Sequence, residues 1–511
     1  MLSDLRSAYN KLLERSKGIA VLGSAVALVN WDMETMMPLK AVELRSEQLA
    51  LLSQLHHKMS TAPAIGKLLD IIAKHRGYEA LREAEKRNIQ LIKKNYDENT
   101  KLPAKLVTAM AKQQALTVNT WKKAKAQKNY ALFKPELEKL VSLNKEAAEI
   151  LMKVKETKTP YDALIDIYEP KMTSRATAEV FSKLQLGLED LLNKISVQRP
   201  PDSSFLQESV EAEKQREIAK LLMQTLGYET PPSPKAGGRL DETEHPFTSG
   251  YYDDVRITTH YHTHNFASSI FSVLHETGHA LYEQQLPLEW KYQPIGTACS
   301  MGIHESQSRL YENVIGRSKE FWTTILPKAK ALSKPSLSSV ELDKFVCAIN
   351  AVKPSKIRIE ADEVTYSLHI IIRFQMEKDI FAGKLRIDEL PEVWNQKYKE
   401  TLGVKIENDA EGVMQDTHWA SGLYGYFPTY ALGNIYSGQI VDALRRKHTS
   451  WLSELAMGEF SSIRKWLASN IYGHGNLYDP AELIKKVTGT ELNVKPYLSY
   501  LQDKYSKLYG F

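Results

Sequence analysis

The hydrophobic pattern of this chain is helical almost throughout, and it limits the fold more than any other feature. Apolar residues recur every three or four positions, which is the spacing of one face of an α-helix. The segments with this spacing are Leu5–Trp31, Glu79–Asn95, Ala104–Lys128, Lys134–Val154, Ser174–Val197, Glu208–Leu226 and Pro480–Val487. The most apolar early stretch, Ile19–Val29, is shorter than the ~20 residues that span a bilayer. We therefore expect a mostly α-helical protein.

The helical pattern has one main interruption, which is rich in proline and glycine and covers residues 230–250. Directly after it, Val, Ile and Thr alternate with polar residues over Asp253–His262. This alternation is typical of a half-buried β-strand. We expect a small β-sheet at this point, beside the motif described below.

The domain organisation follows from length and from this interruption. A chain of 511 residues can bury most of its apolar surface without covalent cross-links. The Pro- and Gly-rich stretch is a poor linker because it holds motif-like residues of its own. We expect residues 1–511 to form one domain, with a mainly helical part at 1–230 and a second part at 231–511 that carries the motif described below.

Charge and cysteine content narrow the setting and the partners. The chain has 67 basic and 62 acidic residues, and this excess is too small for the concentrated basic surface that binds nucleic acid. Two cysteines, Cys299 and Cys347, are too few for a disulfide framework and favour a reducing, intracellular setting. The first residues, Met1–Asp4, lack the basic region of a signal peptide. We expect an intracellular protein with no nucleic-acid or membrane partner.

The segment His275–His279 reads His-Glu-Thr-Gly-His. Two histidines four residues apart share one face of a helix, so both imidazoles can bind one metal ion. Glu276 then lies where it can contact water at that ion. Asn265 is suited to begin this helix, and Pro287 to end it. With 14 His and 62 acidic residues in 511, chance predicts fewer than ~0.05 such motifs.

A catalytic zinc ion usually has three protein ligands and one open position. The segment His304–Gln307 reads His-Glu-Ser-Gln and begins another helical pattern. The turn at Pro294–Gly296 allows this helix to fold back onto the first. We predict that Glu305 is the third ligand, and His304 is the alternative because imidazole also suits zinc.

A second group of histidines, His260, His262 and His264, follows at alternate positions. In a strand the three side chains would project from one face. No acidic or thiolate partner is placed nearby, so we expect these residues to line a cleft or a polar surface rather than to form a second metal site.

Further short motifs extend along nearly the whole chain. They are Trp31–Asp32, Tyr161–Leu164, Glu169–Pro170, His245–Phe247, Asp254–Thr258, Ile357–Tyr366, His369–Arg373, Gly412–Trp419 and Gly425–Tyr430. In this order, and together with the two histidine- and glutamate-containing segments, they resemble the carboxypeptidase Taq family of metallocarboxypeptidases.

The resemblance implies a saddle-shaped, two-lobed, nearly all-helical fold with a deep cleft, similar to neurolysin. It implies a cytoplasmic homodimer that removes single C-terminal residues from peptides with a free C-terminus, using zinc or cobalt. The family pattern places the ligands at His275, His279 and Glu305, which disfavours His304. The run His260–His264 departs from that pattern.

The resemblance also suggests roles in catalysis. Glu276 would be the general base that takes a proton from water and passes it to the leaving amine. The tetrahedral oxyanion needs a donor besides the metal. Tyr430 resembles the family's cleft tyrosine and is our candidate, with His245 and His418 as alternatives.

A carboxypeptidase must also recognise a free carboxylate. Arginine suits this task because its planar guanidinium forms two parallel hydrogen bonds. Arg358 matches the family pattern best, and Arg256 and Arg373 are alternatives. The strand that holds Arg256 could instead pair with the backbone of an extended substrate.

Two other functions compete with this interpretation. An oligopeptidase with the same metal chemistry would cut within peptides and would accept amidated C-termini. A helical binding protein with a structural metal would have ligands but would not need Glu276 as a base.

Overall fold

The computed structural model describes residues 2–334 and 336–511. Nine helices precede the sheet in this part of the chain. They are α1 (Leu2–Thr35), α2 (Val42–Ser60), α3 (Pro63–Ala73), α4 (Glu83–Lys101), α5 (Ala104–Ala126), α6 (Tyr130–Val154), α7 (Pro160–Tyr168), α8 (Ser174–Ser196) and α9 (Ala212–Leu226). The prediction of a mostly helical fold is confirmed, because each helix predicted from the periodicity overlaps an observed one.

Eleven helices follow the sheet within the described residues. They are α10 (Phe266–Gln284), α11 (Met301–Arg309), α12 (Lys319–Ser333), α13 (Leu342–Ile349), α14 (Tyr366–Phe381), α15 (Leu390–Leu402), α16 (Pro428–Lys447), α17 (Trp451–Ala456), α18 (Ser461–Asn470), α19 (Pro480–Thr488) and α20 (Lys495–Tyr509). α11 continues into a π-helix over Leu310–Ile315. None of the helices described combines the length and hydropathy that crossing a bilayer requires.

Three short strands form the sheet, in the order β1-β3-β2. They are β1 (Leu240–Glu242), β2 (Thr248–Tyr251) and β3 (Asp254–Thr259). β3 lies in the centre and pairs parallel with β1 and antiparallel with β2. The predicted strand Asp253–His262 is therefore present but shorter. β1 and β2 escaped prediction because they are too short to show an alternating pattern.

β2 forms one edge of the sheet, and its backbone groups face alternately towards β3 and away from it. The N–H of Thr258 donates to the carbonyl of Phe247 at 3.0 Å. In an antiparallel pair, hydrogen-bonded and non-hydrogen-bonded residue pairs alternate. In this register, the backbone N–H and C=O groups of Thr248 and Gly250 face away from β3. Groups that face outward in this way are those through which an edge strand pairs with a further strand.

Two hydrophobic cores stabilise the fold. The smaller one joins α1, α3 and α4 through residues such as Leu12, Ile72 and Ile92. The larger one joins α5–α9 to the sheet and the later helices, and includes Val273 and Leu274 of α10. Helices α5–α9 thus share a core with the part of the chain that follows residue 230. Because α10 packs between α9, α11 and the sheet, its motif face is held at a fixed position.

Candidate metal centre

α10 holds the two motif histidines on one face. It begins after Asn265, as predicted, although the Asn265 side chain makes no capping hydrogen bond. The ring centroids of His275 and His279 lie 4.9 Å apart. Both rings are partly buried, while the apolar residues on the other side of the helix are in the core.

α11 lies against α10 and supplies Glu305. The Oε2 atom of Glu305 lies 3.6 Å from Nε2 of His275 and 3.4 Å from Nε2 of His279. Ligand atoms of all three residues lie within 4.8 Å of one another. Two imidazole nitrogens and one carboxylate oxygen form a ligand set found at catalytic zinc sites. The arrangement can therefore hold one divalent ion.

Two glycines allow the helices to come this close. A Cβ on Gly278 of α10 would lie 2.7 Å from the carbonyl oxygen of Gln307 in α11. A Cβ on Gly433 of α16 would lie 2.7 Å from Cβ of Glu305. Larger residues at these positions would push α11 away from its neighbours. The two glycines thus set how closely Glu305 approaches α10 and α16.

The second oxygen of Glu305 is occupied, which orients the carboxylate. Arg309 donates from Nε to Oε1 at 2.7 Å. Burial opposes ionisation of Glu305, but the Arg309 guanidinium and His275 hold its pKa well below the usual range. The carboxylate therefore stays charged, and Oε2 faces the two histidines.

His275 is oriented by Glu312 of the π-helix. Nδ1 of His275 lies 2.8 Å from Oε2 of Glu312. Burial opposes ionisation of Glu312, but Arg309 and His275 lower its pKa to about 2. A charged carboxylate accepts the Nδ1 proton, so Nε2 of His275 keeps a lone pair for a metal. The π-helical turn thus carries a residue that acts on the site.

His279 is oriented by His304, the residue considered as an alternative ligand. The two Nδ1 atoms lie 2.5 Å apart, and Nε2 of His304 lies 2.9 Å from Oε1 of Glu283. If His279 offers Nε2 to a metal, its Nδ1–H donates to His304, whose own proton is then on Nε2 and points to Glu283. Both nitrogens of His304 are therefore engaged outside the ligand set.

We expect His304→Ala to weaken zinc binding by ~10–100-fold, the usual effect of removing a residue that orients a ligand. Isothermal titration of the metal-free protein with zinc measures this change. His264→Ala is the matched control because His264 is exposed outside any helix or strand. Equal zinc affinity in the two variants would contradict the orienting role.

Glu276 lies on the same helix but is not part of the ligand group. Its Oε2 accepts a hydrogen bond of 2.6 Å from Oγ1 of Thr248, at the start of β2. Burial raises the pKa of Glu276, although His275 and Thr248 oppose this shift. A carboxylate of raised pKa beside a metal site is suited to accept a proton from water.

Tyr430 and His418 are brought together on neighbouring elements. Nε2 of His418 lies 3.0 Å from the hydroxyl of Tyr430. Burial keeps the pKa of Tyr430 well above its usual value, so the hydroxyl remains a donor. Burial and then Arg358 lower the pKa of His418 to about 3, so this ring is neutral. His245, the other alternative, is exposed on the loop between β1 and β2.

Arg358 and Arg373 share one carboxylate. Their guanidinium groups lie 2.8 and 2.6 Å from Asp416. Two cations on one anion leave an excess positive charge in this region. The side chain of Arg373 is fully buried, whereas that of Arg358 is 8% exposed and lies 5.1 Å from the ring of Tyr430. Arg358 is thus the more accessible of the two arginines.

Arg256 lies in a different environment. It binds Asp254 at 2.7 Å and stacks on Trp31 of α1 at 4.3 Å. The proposal that its strand pairs with a substrate is wrong, because β3 already has a strand on each side. The edge strands of the sheet are β1 and β2.

The expected strand face of histidines is also absent. β3 ends at Thr259, before His260. His260 lies 3.0 Å from the carbonyl oxygen of Thr243, and His262 and His264 are exposed. The chain turns towards α10 at this point and is no longer a strand. The three histidine side chains therefore do not project from one face.

Comparison with known proteins identifies the family. A sequence profile of the carboxypeptidase Taq (M32) metallopeptidases matches residues 11–505. The chain belongs to this family. It is 40% identical to thermostable carboxypeptidase 1 of Thermus thermophilus and 39% identical to carboxypeptidase 1 of Bacillus subtilis, over 99% of this chain and of each relative. An M32 carboxypeptidase structure from Deinococcus radiodurans matches with a TM-score of 0.94 at 33% identity, over 99% of this chain and 100% of that one.

Membership of the M32 family confirms the resemblance predicted from the motifs. Glu283, Glu312 and Thr248 were not predicted, although two of them left a signal. Glu283 lies four residues after His279, and Glu312 lies seven after Glu305. These spacings correspond to one and two helical turns, which place side chains on one face. Thr248 left no such signal because its contact joins a strand to a helix.

Proposed function

We propose that this protein is a metal-dependent carboxypeptidase that removes single residues from peptides with a free C-terminus. The observation that carries the proposal is the convergence of His275, His279 and Glu305 beside Glu276. Membership of a metallopeptidase family supports it. A structural metal site would need the ligands but not the adjacent carboxylate.

We propose zinc or cobalt as the ion, because imidazole and carboxylate ligands suit both. When bound, the ion acts as a Lewis acid, which polarises a carbonyl and lowers the pKa of water. We expect chelation to inactivate the protein and one equivalent of zinc or cobalt per chain to restore activity, with the ion content checked by elemental analysis. Full activity in verified metal-free protein would contradict this assignment.

The protein's own side chains would handle the protons. Glu276 takes a proton from the attacking water and returns it to the leaving amine. Thr248 holds the carboxylate through the hydrogen bond to Oε2. Tyr430 donates from its hydroxyl to the oxyanion, with His418 fixing the position of that hydroxyl.

Two features would position the peptide. The free C-terminal carboxylate binds Arg358, where it balances the excess positive charge of the two arginines on Asp416. The backbone preceding the cleaved bond pairs with the outward-facing groups of Thr248 and Gly250 on β2. An extended substrate would then lie along the sheet edge with its end towards the arginine.

Product analysis tests this proposal against the oligopeptidase alternative. We expect mass spectrometry to show successive loss of single residues from peptides with a free C-terminus, while amidated copies lose their last residue far more slowly. Internal fragments of the amidated peptides would contradict the proposal and favour an oligopeptidase.

We also propose that the protein works as a cytoplasmic homodimer, as the family resemblance implies. The low cysteine content supports the intracellular setting. Light scattering should give twice the chain mass of 58.1 kDa. A mass of one chain at micromolar concentration would contradict the dimer.

A further inference from the structure

A pocket of about 530 Å³ lies beside β2 and has no role in the reaction described so far. Gly250 and Tyr251 of β2 form part of its wall, and Gly23 of α1 and Tyr96 of α4 form other parts. The pocket thus lies between the sheet and the helices of the smaller core.

β2 connects this pocket to the metal centre. At one end, Thr248 contacts Glu276 at 2.6 Å. Residues in a strand are spaced by about 3.4 Å, so Gly250 and Tyr251 lie ~7–10 Å further along. A peptide paired with the outer edge of β2 advances by the same distance per residue. Its second or third residue from the cleaved bond therefore lies beside the pocket.

The direction of that peptide follows from the proposed function, on which this inference rests. A carboxypeptidase substrate has only one residue after the cleaved bond. A residue two or three positions away must therefore precede the bond. The peptide then runs towards its N-terminus as β2 runs from Thr248 to Tyr251, which makes the pairing antiparallel.

The lining of the pocket is uncharged. Among the described residues, no Asp, Glu, Lys or Arg side chain lines it, whereas the tyrosines Tyr96, Tyr251 and Tyr292 do. His56 also lines it, and burial followed by the nearby His57 lowers the pKa of His56, which keeps this ring neutral at pH 7. Lys17 and Lys291 contact the ring of Tyr292 at 5.4 and 5.2 Å, but neither lysine is part of the lining.

This lining selects among side chains. A charged group that leaves water without a partner loses free energy, whereas an aromatic ring gains from contact with other rings. We propose that the pocket is a specificity site that takes an uncharged, preferably aromatic, side chain from the second or third residue before the cleaved bond. It would thus discriminate between peptides that share the same C-terminal residue.

A peptide series tests the proposal with the zinc- or cobalt-loaded protein. The peptides share their C-terminal residue and carry Phe, Glu or Lys at one of the five positions before the cleaved bond. We expect Glu or Lys at the second or third position to lower kcat/KM by about tenfold relative to Phe. At the fifth position the change should be less than about twofold. Equal values at every position would overturn the proposal.

A change of charge in the pocket should alter this preference. Asn95 of α4 lines the pocket and is exposed, so Asn95→Asp adds a carboxylate without removing a buried group. We expect Asn95→Asp to raise the ratio of kcat/KM for the Lys peptide to kcat/KM for the Glu peptide by roughly two- to fivefold, the range of an exposed ion pair. Asn10→Asp adds the same charge on α1 outside the pocket and should leave the ratio unchanged. Equal ratios in the two variants would overturn the assignment.

Filling the pocket separates this inference from the proposed function. A Cβ on Gly23 would meet no atom closer than Nε2 of His56 at 3.5 Å, so the helix can accept a side chain there. We expect Gly23→Leu to abolish the preference for Phe but to leave cleavage of an N-acetylated dipeptide unchanged, because this substrate has one residue before the cleaved bond and its acetyl group has no side chain to enter the pocket. A retained Phe preference in folded Gly23→Leu would overturn the pocket assignment alone. Failure of the metal-loaded wild type to release the C-terminal residue from the dipeptide and from every peptide of the series would overturn the carboxypeptidase proposal.

Discussion

Glu276→Gln is expected to lower kcat by about 10²–10⁴-fold while the protein keeps its metal ion. Glutamine has the shape of glutamate and can still accept the hydrogen bond from Thr248, but it cannot take a proton from water. The ligand atoms belong to His275, His279 and Glu305, which the substitution leaves in place. Steady-state kinetics and elemental analysis on the same preparation measure both quantities.

Glu305→Ala is the matched comparison, because it removes a carboxylate from the ligand group instead of from its neighbour. We expect this variant to bind zinc more weakly, so its activity should recover in part as the zinc concentration rises. The Glu276→Gln variant should show no such recovery. If Glu276→Gln lost its ion and Glu305→Ala retained it, the roles of the two residues would be reversed.

Sequence reasoning predicted those parts of the molecule whose structure depends on one short stretch of chain. α10 is an example, because its periodicity, its motif and its end before Pro287 all lie within a short stretch of chain. The three proposed ligands could also be anticipated, since two of them are one helical turn apart. β1 and β2 are the opposite case. Their three or four residues become strands only because β3 pairs with both.

The residues around the proposed ligands depend on contacts between distant segments. His304 was considered as a ligand because its residue type suits zinc, but its role follows from the contact with Glu283 across the α10–α11 interface. Likewise, Asp416 belongs to a recognised motif, but no sequence spacing shows that two arginines share it. The sharing of one carboxylate by two arginines is a property of the packed structure and cannot be predicted from one segment.

Arg358→Ala is expected to weaken the transition-state binding of peptides with a free C-terminus by about 2–5 kcal/mol, since the substrate carboxylate loses its partner. Amidated peptides do not form this ion pair, so their slow cleavage should change much less. The measured quantity is the ratio of kcat/KM for free and amidated ends. We expect Arg358→Ala to lower this ratio, because cleavage of the free-ended peptides slows more than cleavage of the amidated ones.

Arg256→Ala provides the control for this ratio. Arg256 was an alternative carboxylate ligand, but its guanidinium binds Asp254 and stacks on Trp31. Its removal should therefore leave the ratio unchanged, even if it lowers the melting temperature. Arg358 also holds Asp416, so its loss can disturb the fold as well as the substrate. A purely structural role would lower cleavage of both substrates equally and lower the melting temperature. An unchanged ratio in a well-folded Arg358→Ala protein would reject the assignment.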